Sequence, residues 1–364
     1  MLSFGMSKEQ KMIKDEVANL IKGVVAENAD EMDQTSKIPE ASIQQGWELG
    51  ASVTGVPEEF GGFGMQDSPI TTAIILEELA YGDMGFSIAV TLPSLMISPI
   101  LSMGTDDQKA KYLPLLCKEA YAPCSLALNE PHFMADAGDL KTTAEKKNGA
   151  YVLNGAKCFV PMADTASHIM VAAALDGESD LFIVNKDNPG LEIGEKERNL
   201  GLYALDTHEL ALSNCEIPAE DRLGGDGGCD YGLFLQKCRI GMSAIGTGVA
   251  RASFEFARDY AKERVQFGEP IVNRQSVSFM IAEMAYEVDA MRLMTWQAAS
   301  KLEAGEDATR ESYLAKIYAG EMVMKVTDWG VQVLGGHGYT REYPVERFYR
   351  NGRGISILDG MATV

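Results

Sequence analysis

Residues 151–160 read YVLNGAKCFV, and the fold turns on this stretch. Two short apolar runs flank the pair Asn154–Gly155, and Asn-Gly between such runs is a strong β-hairpin signal. Three more short strands follow, separated by turns: HIMVAAAL (168–175), DLFIVNKD (180–187) and HELALSNCEIP (208–218). Residues 119–225 are therefore expected to form a β domain.

On either side the pattern is helical. In SKEQKMIKDEVANLIKGVV (7–25), Met12, Val17, Leu20, Ile21 and Val24 share a helix face behind a Ser7/Gln10 capping box. SPITTAIILEELAYG (68–82) opens on a cap and a proline and ends at Gly82, as a helix should. The intervening VPEEFGGFG (56–64) is too rich in glycine for periodic structure. Beyond the β domain, Val277, Met280, Ile281, Met284, Val288 and Met291 repeat at helical spacing, and a second long helix runs into the pair Gly335–Gly336. Long amphipathic helices with short connections fit an antiparallel bundle. The expected class is α+β: an N-terminal helical domain (1–118), a middle β-barrel-like or β-sandwich domain (119–225) and a C-terminal four-helix bundle (226–364). Helices, then strands, then helices argues against a Rossmann sheet, and no GxGxxG follows a strand.

Composition narrows the partners. With 32 basic and 53 acidic residues the net charge is −21, which repels phosphate backbones and anionic lipid. Nucleic acid and membrane are poor partners, although a few focused arginines would still hold an anionic ligand. The most apolar stretch, GFSIAVTLPSLMISPIL (85–101), is broken by two prolines and makes a poor spanning helix. No signal peptide is evident at the N-terminus. Six scattered cysteines without a CxxC pair, and four dispersed histidines, point to reduced thiols in a cytoplasm and no metal site.

Several phrases, in order and at fixed spacing, carry a resemblance. They are VPEEFGGFG, LEELAYGD (76–83), SLALNEP (125–131), LNGAKCFV (153–160), ERVQFGEPIVNRQ (263–275) and QVLGGHGYTREYPVERFYRNGR (332–353). Together they resemble the acyl-CoA dehydrogenase family of flavoproteins, from near residue 7 to the last residue. The resemblance implies FAD between the β domain and the C-terminal bundle, its adenine end reaching a neighbouring subunit, and hence a homo-oligomer, commonly a tetramer. It also implies an acyl-CoA thioester substrate and an electron-transfer flavoprotein as electron acceptor. In such enzymes a carboxylate removes the proton alpha to the thioester while flavin N5 takes the beta hydride.

Matched residue by residue, the resemblance assigns candidate roles. Arg264, Gln266, Phe267 and Gln275 would contact a neighbour's FAD, and Gln332, Gly335 and Gly336 its diphosphate and adenosine. The chemistry agrees, since a guanidinium offers paired donors to a diphosphate and glycines admit close backbone approach. LGGHG alone, without the Arg264 segment, reads as a helix C-cap and turn. Leu128, Asn129, Phe159, Pro161 and Met361 fall beside the flavin, and Thr91, Ser94, Leu95, Ala135, Arg239 and Gly360 on the substrate side. In RGISILDGMATV (353–364), Asp359 stands where the commonest family base is a Glu; the plain alternative is a solvated Asp-Gly loop. Some members carry the base just before the residue matching Arg239, but here that residue is Cys238. A structural ion pair would account for Arg239 equally well.

The departures are specific. Asp is one methylene shorter than Glu, so its carboxylate retreats by about 1.5 Å. A base so displaced loses roughly a hundredfold in rate unless the ligand moves with it. A short, branched or alicyclic acyl group is one consequence; elimination from a thioester, nitroalkane oxidation, or a non-catalytic subunit of a heteromer are others. The family's Gly-Ala-Gly-Ser turn is replaced by His132, Phe133, Met134 and Ala135. Asn129 replaces a Thr or Ser, Pro161 stands in place of a hydroxyl near N5, Met361 replaces a Thr, and the sequence stops at Val364, before the position of the family's closing helix.

Overall fold

The computed structural model describes residues 5–25 and 28–364. Helix α1 (Lys8–Leu20) starts on the expected box: Gln10 N–H donates to Ser7 Oγ at 3.1 Å, and Ser7 N–H to Gln10 Oε1 at 2.9 Å. Its inward stripe is Ile13, Val17, Leu20 and Ile21, which turn at a helical spacing of three and four. Met12, expected on that face, is 67% exposed, because five residues before Val17 it falls on the far side.

After α2 (Ala29–Thr35) and α3 (Glu40–Trp47), the glycine-rich loop holds only one helical turn, Glu58–Phe60. Helix α4 (Pro69–Gly82) then begins where Ser68 Oγ caps Thr71 N–H and ends where expected. It is buried almost all round, between α1 and the long helix α8 (Tyr231–Glu263). That burial takes in Glu77 and Glu78, and buried charges persist only when paired. Arg251 forks onto Glu78 at 2.5 and 2.8 Å, and Arg292 reaches Glu77 at 2.9 Å. The apolar stretch folds as α5 (Met84–Thr91) and α6 (Ser94–Met103), bent by 43° and packed in the core. Among the described residues no single helix is long and apolar enough to cross a membrane. Helix α7 (Asp106–Leu116) closes the domain.

The strands β1 (Ser125–Ala127), β2 (Thr143–Lys147), β3 (Ala150–Pro161), β4 (His168–Leu175), β5 (Glu178–Asn185), β6 (Leu191–Lys196) and β7 (Thr207–Pro218) form one mixed sheet, a half-barrel. Its order is β1-β4-β2-β3-β7-β6, with β5 on the outer side of β4. The expected hairpin turn was misplaced. Asn154–Gly155 lies inside the continuous strand β3, where a bulge shifts the pairing with β7. The turn is one repeat earlier, at Asn148–Gly149, both with positive φ (52° and 85°), which Asn and Gly tolerate best.

The C-terminal helical domain comprises α8, then α9 (Gln275–Glu303), α10 (Thr309–Leu334) and the two-turn α11 (Val345–Gly352), with a small ribbon β8 (Val265–Gln266)–β9 (Glu269–Pro270) between α8 and α9. Ile281, Met284, Val288 and Met291 of the expected stripe are buried. Helix α10 stops at Gly335, with φ 60°. A tight turn, Arg353–Ser356, then leads into the final segment, which lies in a groove between α8 and α10. Small residues make the groove: a Cβ on Gly241 would meet the Ala362 carbonyl carbon at 2.8 Å, and one on Gly320 would meet Ser356 Cβ at 3.2 Å.

Candidate active site

The last segment brings Asp359 to the junction of β1, α8 and α10. Gly360, at φ 70°, turns the chain under the sheet, and a Cβ there would lie 2.7 Å from Leu126 and Leu128. Asp359 itself is gripped through its backbone. Its N–H donates to Asn129 Oδ1 at 3.1 Å, and Asn129 Nδ2 donates to its carbonyl at 2.8 Å, as a strand neighbour would. From the opposite side, Lys316 Nζ donates to Asp359 Oδ1 at 2.7 Å and to the Leu358 carbonyl at 3.1 Å. Among the described residues, Oδ2 accepts no hydrogen bond. The Asp359 side chain is 38% exposed, that of Lys316 only 11%. The acid is thus partly exposed but tethered at its N–H, its carbonyl and Oδ1.

Helix α8 passes close by. Burial, and next the charge of Asp359, push the Cys238 thiol up, so it stays protonated and is no base at neutral pH. Arg239 lies over the Tyr313 ring at 5.2 Å and makes no ion pair among the described residues, so a structural salt bridge does not explain it. Thr91 and Leu95 are buried at the α5–α6 bend. The hydroxyls of Thr91 and Ser94 are spent on helix carbonyls, those of Ser87 and Thr91, at 2.7 and 2.5 Å.

Residue Glu130, next to Asn129, organises the loop leaving β1. Its carboxylate accepts from the N–H groups of Lys141 (2.6 Å) and Thr142 (2.8 Å), from Lys157 Nζ (2.8 Å), and pairs with His132 Nε2 (3.0 Å). Burial alone would raise this carboxyl; the Lys157 charge and the hydrogen bonds override it and hold it at about 2. Lys157 is fully buried, and burial pushes it down to about 8 against the pull of Glu130, so both groups are charged at neutral pH. Phe133 and Met134, which replace small residues, stand out of this loop at 92% and 81% exposure, Met134 with φ 57° and Ala135 exposed beside it.

Two clefts complete the picture. The first, about 340 Å³, lies between the β domain and the C-terminal helices and is lined by Phe159, Gly201, Leu202, Gly354, Ile357 and Leu358, among others. Phe159 enters it from a left-handed backbone, φ 53°, where β3 bulges against β7 and its N–H donates to the Glu197 carboxylate. Such a conformation costs a bulky residue of order 1–3 kcal/mol and marks functional sites. Leu128, Pro161 and Met361 are buried. The second cleft, about 750 Å³, gathers Arg264, Gln266, Phe267, Gly335, Gly336 and His337. Nothing lies within 4 Å of a Cβ on either glycine, so the backbone there is open to a ligand. Tyr260 and Tyr343 hold His337, by a 2.9 Å hydrogen bond and a stacked contact at 5.4 Å. Gln275 and Gln332, at helix ends nearby, do not line this cleft. A slot with Phe159 and aliphatic side chains on its walls and an open arginine- and glycine-lined cleft suit a flavin and a diphosphate respectively, and the two share no lining residue.

Sequence reading missed Lys316, Glu130, Lys157 and Glu197. For Lys316 a signal existed: it falls with Ser312, Ala315, Ala319 and Gly320 on the inward stripe of α10, an uncommon place for lysine.

Comparison with known proteins agrees with this architecture. Three family models match in succession: the acyl-CoA dehydrogenase N-terminal domain over residues 7–120, middle domain over 125–215 and C-terminal domain over 232–364. An acyl-CoA dehydrogenase of Bacillus subtilis is 36% identical, with 98% of this chain and 95% of that one aligned. The butyryl-CoA dehydrogenase structure from Megasphaera elsdenii superposes with a TM-score of 0.89 at 31% identity, covering 98% of this chain and 95% of that one. A glutaryl-coenzyme A dehydrogenase bound to glutaryl-CoA gives 0.89 at 32%, covering 97% and 92%. The chain thus belongs to the acyl-CoA dehydrogenase family, FAD-dependent oxidoreductases acting on CH–CH bonds, and carries all three of the family's domains.

Proposed function

We propose that this chain dehydrogenates acyl-CoA thioesters with Asp359 as the base, acting on a short, branched or alicyclic acyl group. The observation that carries this reading is the restrained carboxylate: Asp359 is held at its N–H, its carbonyl and Oδ1, leaving Oδ2 to receive a proton. Asp359 removes the proton alpha to the thioester carbonyl. FAD held in the Phe159 cleft would supply the acceptor for the hydride that leaves the beta carbon. Phe159 and Leu358 wall the ring's slot against water, which strengthens the electrostatics of proton removal. Thr91, Ser94, Leu95, Arg239, Ala135 and Gly360 border the acyl and thioester side.

Arg264, Gln266, Phe267, Gly335 and Gly336 hold the adenosine diphosphate end of a neighbouring subunit's FAD, and Gln275 and Gln332 reach it from helix ends outside the cleft lining. The two separate clefts support this, since each chain then offers one half of two cofactor sites, in a homotetramer. The electron acceptor is an electron-transfer flavoprotein, and the domains divide at about residues 118 and 225. The test is anaerobic mixing of FAD-loaded protein with a panel of thioesters and nitroalkanes, following flavin absorbance. Bleaching by short or branched acyl-CoA is expected; bleaching by a nitroalkane and by no thioester would overturn the reading.

A further inference from the structure

We propose that Lys316 is a positioning residue for the base: from α10 it fixes one carboxylate oxygen of Asp359 so that the other is aimed at the substrate. The inference rests on Asp359 being the base. Asn129 grips only the Asp359 backbone, which leaves the side chain free to rotate about two bonds. Lys316 removes that freedom, because Oδ1 at 2.7 Å from the ammonium of a largely enclosed lysine sets where Oδ2 points. The second Lys316 bond, to the Leu358 carbonyl, ties the ammonium to the same segment, so acid and cation move together. A lysine so placed has lost most of its water, and Asp359 is its one anionic partner among the described residues. An acid one methylene short of the family's usual base tolerates misaiming badly, since an error near 1 Å costs roughly a hundredfold in rate.

A purely structural Lys316 would instead anchor the final segment, and the two roles separate by experiment. FAD-loaded Lys316→Met, Lys316→Gln, Lys316→Arg, Asp359→Asn and the double variant Lys316→Met/Asp359→Asn are compared by anaerobic stopped flow with a thioester that bleaches the parent. Lys316→Met is expected to slow flavin reduction roughly 10- to 100-fold, with FAD content and half-saturating thioester concentration within about twofold of the parent. Lys316→Gln, which still donates to the Leu358 carbonyl, should be equally slow, and it carries the test if the Met variant does not fold. Lys316→Arg should recover most of the rate. In the Asp359→Asn background, Lys316→Met should add nothing, because the group it positions is gone. Parent-like reduction by Lys316→Gln, or an equal loss with and without Asp359, would overturn the proposal. If Asp359→Asn itself reduces flavin at the parent rate, the base assignment has failed; if it is dead and Lys316→Gln is fast, only Lys316 has.

Discussion

At the scale of single residues, the shape of the final turn decides where the acid sits. Gly360 is left-handed and pressed against Leu126 and Leu128, so any side chain there is penalised twice. Gly360→Ala should lower stability by about 1–2 kcal/mol and displace Asp359 from Asn129. A melting curve checks the first effect and the flavin-reduction rate the second. Glu130 gives a pH signature. Its carboxyl lies at about 2 in the fold, against an ordinary 4.5. A depressed folded value means the unfolded chain binds the proton more readily, so the stabilisation is present above about 4.5 and is lost as pH falls towards 2. The amount is about 3 kcal/mol. Denaturant midpoints measured down that window should fall for the parent; for Glu130→Gln they should start lower and show none of that component.

At the scale of elements, what was legible in the sequence was what is decided locally. The Ser7/Gln10 and Ser68 caps, the stop at Gly335 and the stripe on α9 depend on neighbours three or four residues away, and all stand in the structure. The hairpin failed for an equally local reason: two Asn-Gly pairs lie six residues apart, and only pairing with β7, some sixty residues on, decides that β3 runs through the second. Of the candidate site, the proposed acid and the glycines were picked out by the family's spacing. Its supports were not, because the Asn129–Asp359 clamp joins residues 230 apart, and the inward position of Lys316 on α10 does not say which carboxylate, 43 residues on, it meets. The groove between α8 and α10 is a matter of the same kind. Gly241→Val should push the final segment out, since the added atoms meet the backbone of Ala362, and should be seen as protease cleavage near the C-terminus together with slower flavin reduction.

At the scale of the whole molecule, the two clefts impose a division of labour. The Phe159 cleft lies between the β domain and the C-terminal helices, while the arginine- and glycine-lined cleft is at the far ends of α8 and α10. A single chain that lends its second cleft to a neighbour should lose FAD when that cleft is damaged. Arg264→Ala is expected to lower FAD retention through gel filtration by about tenfold or more while leaving the fold intact by circular dichroism. The charge of −21 does not oppose this, because Arg264 and Arg274 are focused at the cleft itself.

Proton removal by the carboxylate of Asp359 is tested most directly by the rate of anaerobic flavin reduction by a good thioester in Asp359→Asn. The amide keeps the volume and the Asn129 clamp but cannot take a proton. The expected result is a fall of at least about 10³-fold with FAD content and thioester binding retained. Reduction within a few-fold of the parent would contradict the account and move the chemistry to another residue.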